Sequence, residues 1–380
     1  MKEIKKPQNW GQTCPNPNFN CYGKNSQGSI RSVASYLTRS GKRRIFECKV
    51  CGEMFSETRD TVFYDLRTSE EKVMMALKMI LVKMELSGIY FVPGTKEETI
   101  LEWLKKASKK AKEINEVLMK ELPVTEVQLD EMWSYVLRKK SKLSGSDIES
   151  PDGAEDGSQW VWIGFAPVSR LILTTVVGPR TYGTALRLIK AIGLVFAGIP
   201  CFFSDGFSCY LSVLIEVYHT IKEFPLTGKP GRPENPIKEP HPDLVYAQVV
   251  KKHRGGRIIE VINRVICGAG RIKELGLNIS ASLLERLNLT FRQSLSPLVR
   301  KTPGFSKKVS HLQMQADLFQ VFYNFARPHL SLRIPLDVPI KFDGCVEKKY
   351  SLRTPGMAAG ITDHIWTFKE LLTFRKGMVT

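Results

Sequence analysis

Between Val124 and Val136 the chain reads Val-Thr-Glu-Val-Gln-Leu-Asp-Glu-Met-Trp-Ser-Tyr-Val, with no glycine or proline and many β-branched and aromatic side chains. That composition predicts a β-strand fit for a core. Near its middle stands Asp130. A carboxylate in a core strand is costly unless it is paired or bound to a cation. Either the strand lies at an edge with Asp130 in solvent, or Asp130 belongs to a site. Two further acidic positions favour the site. Asp205-Gly206 closes a short apolar stretch, Ile199–Ser204. Glu285 sits in a stretch where Leu284, Leu287, Phe291 and Leu295 recur at helical spacing.

The surrounding pattern is that of an α/β domain. Trp160–Ala166 and Leu171–Val177 read as strands that make a three-strand meander with Val124–Val136. Helices are expected at Thr181–Phe196 and Tyr210–Ile221. A carboxylate at the C-terminal end of a buried strand, as at Asp205, is how open α/β sheets present ligands to a crevice. The helix carrying Glu285 starts at Asn278 or Ser280 and ends or kinks at Pro297. Glu285, Asn288 and Arg292 share one of its faces. A further helix is expected at His311–Ala326, and Trp366–Thr373 is the only helical stretch read in the tail. Ser141–Ser158 reads as a loop whose Asp147, Glu149, Asp152, Glu155 and Asp156 are a solvated excursion without the order of a calcium loop. Phe224–Pro242, with six prolines, reads as a linker or extended arm. Leu244–Val250 and Arg257–Cys267 are β-prone and suggest a hairpin inserted in the domain.

Four cysteines come early: Cys14, Cys21, Cys48 and Cys51, with none again until Cys201. Cys48-Lys49-Val50-Cys51-Gly52 has the spacing of a knuckle that grips one Zn²⁺. The Cys14–Cys21 pair is wider than the usual two to four intervening residues, so free cysteines beside a chance Cys-x-x-Cys are the plainer alternative. Arg39, Lys42, Arg43 and Arg44 between the pairs suit either phosphate contact or a solvated loop. Next, Thr68 with Glu71 and Thr95 with Glu98 have capping-box spacing. They predict a helix striped by Val73, Leu77, Ile80, Leu81 and Met84, a short one at Ser87–Val92, and a third over Lys96–Lys110. The third buries Ile100, Trp103, Leu104 and Ala107 and turns Lys96, Lys105, Lys106, Lys109 and Lys110 outward. Helix, turn, basic helix is the helix-turn-helix order, whose last helix enters the major groove; a plain helical hairpin shares the pattern.

The net charge of +18 favours a polyanionic partner. Met1–Trp10 is polar, and the longest apolar run, Ala191–Phe203, contains glycines and a proline. It falls short of the ~20 residues a membrane span needs. A cytoplasmic protein without membrane attachment is therefore expected, associated with the nucleoid when on DNA. No Gly-rich phosphate loop is present, so no nucleotide cofactor is indicated. Three carboxylates from two strands and a helix suit two Mg²⁺ or Mn²⁺ ions and in-line phosphoryl transfer.

Leu284-Glu285-Arg286-Leu287-Asn288-Leu289-Thr290-Phe291-Arg292-Gln293, followed by Gly304-Phe305-Ser306-Lys307, resembles the region around the catalytic Glu in transposases of the first insertion-sequence family. Leu129–Tyr135 resembles that family's first catalytic Asp segment, and Ser204-Asp205-Gly206 its second. The order of parts, from Cys14-Pro15-Asn16-Pro17 and Cys48–Cys51 through the helix-turn-helix, is also similar. The resemblance implies an RNase H-like mixed sheet with flanking helices, preceded by a zinc ribbon and a helix-turn-helix. It implies four parts: residues 1–62, 63–120, 121–330 with an insertion at about 222–270, and a tail at 331–380. It implies an Asp-Asp-Glu triad of Asp130, Asp205 and Glu285, with Arg292 as the following basic residue. It also implies double-stranded DNA as partner, both terminal inverted repeats and target, and a homo-oligomer. DNA contacts would fall to Lys96, Lys105, Lys106, Lys109, Asn288 and Arg292. Two other readings compete: a non-catalytic DNA-binding regulator, and an RNase H-like nuclease that cuts without joining.

Overall fold

Strand alternation explains the architecture. The stretch around Asp130 forms a strand at Glu126–Val136, buried on both faces, which places it inside a sheet rather than at an edge. The structure is a computed structural model and describes residues 11–24, 28–123, 126–137, 157–224, 235–342 and 345–376. The Asp147, Glu149, Asp152, Glu155 and Asp156 loop and residues 225–234 of the stretch read as a linker or arm lie outside the described residues, as does Met1–Trp10.

Along the chain, β1 (Ile30–Thr38), β2 (Gly41–Cys48) and β3 (Met54–Ser56) form a small antiparallel sheet. Three helices follow, α1 (Glu70–Leu81), α2 (Leu86–Phe91) and α3 (Glu97–Leu118). The larger sheet is built by β4 (Glu126–Val136), β5 (Gly157–Ala166), β6 (Leu171–Gly178), and, after α4 (Tyr182–Gly193), by β7 (Cys201–Ser204). After α5 (Cys209–Val217), β8 (His219–Lys222) and β9 (Ile237–Pro240) make a separate ribbon. Then β10 (Val245–Arg254) and β11 (Arg257–Cys267) return to the large sheet. The order β11-β10-β7-β4-β5-β6 puts β4 between a parallel neighbour, β7, and an antiparallel one, β5. The hairpin expected as an insertion thus supplies two strands of the sheet itself: β10 runs parallel to β7.

Even-numbered positions of β4 face one side of the sheet and odd-numbered ones the other. On the even side Met132 and Val136 share a core with α7 (Ser282–Ser294, after the short α6 at Ala269–Glu274), α8 (Val309–Val321) and the buried stripes of α1 and α3. The helical unit at 63–120 therefore shares one continuous core with the sheet, tied further by Ser108 Oγ donating to Asp317 at 2.7 Å. On the odd side Val127 and Leu129 pack with Leu188, Ile189 and Ile192 of α4 and with Tyr210, Val213 and Leu214 of α5. Among the described residues no helix is long and apolar enough to cross a membrane.

Several expectations need correction. Neither capping box forms: α1 starts after Ser69 and α3 after Lys96, both without a side-chain cap, and the Thr95 hydroxyl faces the Pro93 carbonyl. The α3 helix continues to Leu118, because Ala111, Ile114 and Leu118 prolong its buried stripe. The helix expected to reach Ile221 stops at Val217; β-branched Thr220 and Ile221 instead pair with β9, inside the stretch read as a linker. Gly157 and Ser158, read as loop, begin β5. The helix over His311–Ala326 turns to π geometry at Phe322–Ala326.

The tail holds more than one helical stretch. A hairpin of β12 (Ile334–Phe342) and β13 (Cys345–Ser351) leads to α9 (Pro355–Ala358) and α10 (Phe368–Thr373). Phe368, Leu371, Leu372 and Phe374 enter the core shared by α1, α3 and α8. Leu372 accepts from the backbone of Val62 at 2.9 Å, and the buried Arg375 guanidinium donates to the carbonyls of Glu57 and Arg59. The end of the chain thus clasps the joint between the small sheet and α1. Leu372→Ala should cost about 2–5 kcal/mol in urea unfolding, the range for truncating a buried leucine; an unchanged midpoint would show that this clasp contributes nothing to stability.

Candidate functional site

The parallel register of β4 and β7 creates the site. Leu129 pairs with Ser204, so the next residue of each strand, Asp130 and Asp205, emerges beside the other. Oxygens of Asp130, Glu131 and Asp205 all lie within 4.8 Å of one another, a group that could hold a metal ion. Asp130 faces α7, where its carboxylate accepts from the Asn288 side-chain amide at 2.6 Å and from the Glu131 backbone N–H at 2.8 Å. The helix is docked there by its first turn, since Leu284 N–H donates to Gln128 Oε1 at 3.1 Å. Asn288 was expected to contact DNA; its amide is used on Asp130 instead, and its Oδ1 is buried without a hydrogen-bond partner among the described residues.

Glu131, next in the strand, points to the opposite face and is almost fully buried there. Its carboxylate accepts from Arg180 (Nε 2.7 Å, Nη2 2.5 Å) and from the Tyr210 hydroxyl at 3.0 Å. The Arg180 guanidinium lies over the rings of Phe207 and Trp160, at 4.4 and 5.0 Å from their centroids, and 3.9 Å from Asp205. Asp205 also accepts from the Phe207 backbone N–H at 3.0 Å, which fixes the turn after β7.

Burial, and then the charge of Asp205, pushes Asp130 up to about 6 against the opposing pull of Asn288. The same two causes push Glu131 up to about 7, opposed by Arg180. Carboxylates gathered this closely favour a cation among them, which would relieve both the desolvation and the mutual repulsion. That charge state and the geometry fit a hard divalent ion on Asp130 and Asp205. Glu131, saturated by Arg180 and Tyr210, is a buttress in this arrangement.

Glu285 does not belong to the close group. It is half-exposed at the first turn of α7 and forms an ion pair with Lys251 of β10. It is still near enough for its charge to raise Asp130. Two turns on, Arg292 forms no ion pair among the described residues, and its Nε is buried without a partner. Burial, and then Arg300, lowers its pKa, while Asp130 draws the other way. So Arg292 is not spent on a neighbouring carboxylate.

The four early cysteines meet as expected. Their sulfurs lie within 4.8 Å of one another, with Cys14–Cys51 and Cys14–Cys21 at 3.5 Å and Cys21–Cys48 at 3.9 Å. Four thiolates at 2.3 Å from one tetrahedral ion would stand about 3.8 Å apart. Burial pushes the Cys14 and Cys21 thiols up. Burial opposes ionisation of Cys48 too, but backbone N–H groups of Cys51 and Val50 outweigh it and hold that thiol below its ordinary value. This group could bind zinc despite the wide Cys14–Cys21 spacing, because the turn at Asn16–Tyr22 folds the extra residues back.

The α3 lysines divide. Lys96, Lys105 and Lys109 are exposed. Lys106 donates to the Tyr64 carbonyl at 2.7 Å, and Lys110, expected outside, is buried against the Asp60 carbonyl and Glu113. Sequence reasoning missed Glu131, Arg180 and Tyr210, and it did not pair Lys251 with Glu285. Only Glu131 carried a signal, since a second carboxylate beside Asp130 in a core strand must be buried on the other face. No family model matches this chain, and no curated protein matches it.

The buttress has a testable energetic signature. Arg180→Met leaves the Glu131 carboxylate buried with only Tyr210, and should destabilise the protein by about 1–3 kcal/mol. Adding Glu131→Gln should recover most of that in thermal melts. Additive losses in the double variant would dissociate the two side chains.

Proposed function

We propose that this protein is a DNA transposase similar to those of the first insertion-sequence family. In this reading a zinc ribbon on Cys14, Cys21, Cys48 and Cys51 and a helix-turn-helix at α1–α3 bind element ends. An RNase H-like sheet carries the strand chemistry. The observation that carries the reading is the placement of mid-strand Asp130 beside Asp205, one residue beyond the Leu129–Ser204 pair of parallel β4 and β7, with α7 bonded to Asp130 through Asn288. It brings together segments far apart in sequence that each resemble a catalytic segment of that family. The mixed sheet, in which β4 forms a three-strand antiparallel meander with β5 and β6 on one side and has parallel β7 and then β10 on the other, supports the RNase H-like arrangement.

Divalent cations, when bound, supply the charge that activates an attacking oxygen and stabilises the leaving one in phosphoryl transfer. The chain's own groups have separate tasks. Asp130 and Asp205 would hold the cations, and Asn288 orients Asp130. Glu285 completes the carboxylate set once its ammonium partner, Lys251, turns to a DNA phosphate. Arg292, uncommitted to any carboxylate, can fork onto a phosphate and align the strand end. The exposed Lys96, Lys105 and Lys109 meet the duplex backbone. A second assignment has its own support: Glu131, not Glu285, stands within the close carboxylate group, so Glu131 is the rival third residue.

Asp130→Ala, Asp205→Ala and Glu285→Ala should each abolish Mg²⁺-dependent strand cleavage and joining on end-containing DNA while end binding persists. Near wild-type cleavage by Glu285→Ala, with none by Glu131→Gln, would transfer the third role to Glu131. Arg292→Ala should retain fold and end binding but lose joining, with partial recovery in Arg292→Lys, because a point charge lacks the fork.

The cysteine group is tested by elemental analysis. One zinc per purified chain is expected, with Cys48→Ser losing both the metal and the folded small sheet, because structural zinc contributes folding energy directly. A zinc-free protein whose small sheet stays folded would remove the ribbon from this reading.

A further inference from the structure

The β11 strand is anomalous. It forms one edge of the six-stranded sheet, and among the described residues no strand or loop backbone bonds to its outer side. Nearly every residue of it is exposed, including Ile258, Ile259, Val261, Val265 and Ile266 at 41–60 %. A long edge strand with this much exposed aliphatic surface is a template for pairing with another chain. Its charges, Arg257, Glu260 and Arg264, would ordinarily guard such an edge.

Their spacing does something else. Two copies of a strand that meet edge to edge about a twofold axis run antiparallel, and some residue must lie opposite its own copy. If that residue is Ile262, Glu260 stands opposite Arg264 twice over, Ile258 opposite Ile266, and Ile259 opposite Val265. Centring one residue earlier sets Glu260 against Ile262 and Arg264 against Ile258. Centring one residue later sets Glu260 against Ile266 and Arg264 against Ile262. Of these three, only the Ile262 register sets opposite charges against each other, and it flanks them with two aliphatic pairs while placing Val261 opposite Asn263. The ladder with β10 is also regular from Glu260 to Val265, its irregularities lying outside that run. The pairing centre therefore falls on straight strand. Arg264 makes no ion pair among the described residues, and Glu260 holds only an exposed bond to Lys252.

We propose that β11 is a homodimer interface, in which the β11 strands of two copies pair antiparallel about Ile262 and continue one sheet through both molecules. The occupant is a second copy because the charge pattern is its own complement. This surface is separate from the carboxylate site and does not depend on the transposase reading.

Sedimentation of the full-length protein should show a concentration-dependent monomer–dimer equilibrium. Glu260→Arg replaces two attractive cross-strand pairs with two repulsive ones and should raise the dimer dissociation constant about tenfold or more. The doubly swapped protein, Glu260→Arg with Arg264→Glu, should return it to near wild type. Cross-linking reads the register. In a Cys267→Ser background, Ile262→Cys lies directly opposite its own copy, at a separation that suits a disulfide. Arg264→Cys lies about 13 Å from its copy, four residues along the strand, and should not link. A monomer at every concentration, open-ended aggregates in place of a dimer, failure of the swap to restore association, or equal linking at 262 and 264 would each overturn the proposal.

Discussion

Two neighbouring carboxylates in one central strand, Asp130 and Glu131, are the constraint around which the sheet domain is arranged. Alternation forces them to opposite faces, so no single partner can serve both. Each face supplies its own answer. On one, Asn288 of α7 donates to Asp130, and the helix is anchored to the same strand through Gln128. On the other, Arg180 and Tyr210 saturate Glu131. Asp205, arriving from β7 in parallel register, stands between the two systems and raises both carboxylates. The result is one carboxylate structurally committed and two left able to take a cation.

The small sheet and α10 are coupled to this domain by ordinary packing. Arg43 of β2 pairs with Glu70 of α1, and Lys369 of α10 meets the same carboxylate at 2.8 Å. With Arg375 on the carbonyls of Glu57 and Arg59, the tail holds the cysteine-bearing sheet against the helices. The helices in turn share a core with one face of the large sheet. The same integration explains why Lys106 and Lys110 are drawn inward: they satisfy carbonyls in the joint between modules. That leaves Lys105 and Lys109 outward on one face of α3, with Lys96 exposed at its N-cap.

Much was legible from residue order alone. The strand at Glu126–Val136, the meander that follows it, the strand ending at Asp205 and the helix carrying Glu285 and Asn288 all announce themselves through local periodicity, because burial of one face imposes that periodicity directly. The cysteine cluster was legible because thiol spacing reports on a shared turn geometry. Local signals misled where a competing partner lay far away. Thr68 and Thr95 had cap spacing but no cap forms, since the entry of each helix is set by the packed core. His219–Ile221 looked helical until β9 offered it a ladder.

What the sequence determined by itself was the inventory: an α/β domain, a basic chain, four clustered thiols, and acidic residues at three positions suited to a site. Tertiary structure decided which of these meet. It set Asp130 beside Asp205 through strand register, drew Glu131 into the same group, gave Glu285 to Lys251 and left Arg292 without an ion pair among the described residues. It also turned an expected inserted hairpin into two strands of the sheet, with β11 as its open edge. The division has one physical cause. Periodicity and propensity act between residues a few positions apart, whereas ion pairs such as Glu131–Arg180 and registers such as Leu129–Ser204 join residues whose proximity exists only once the sheet has assembled.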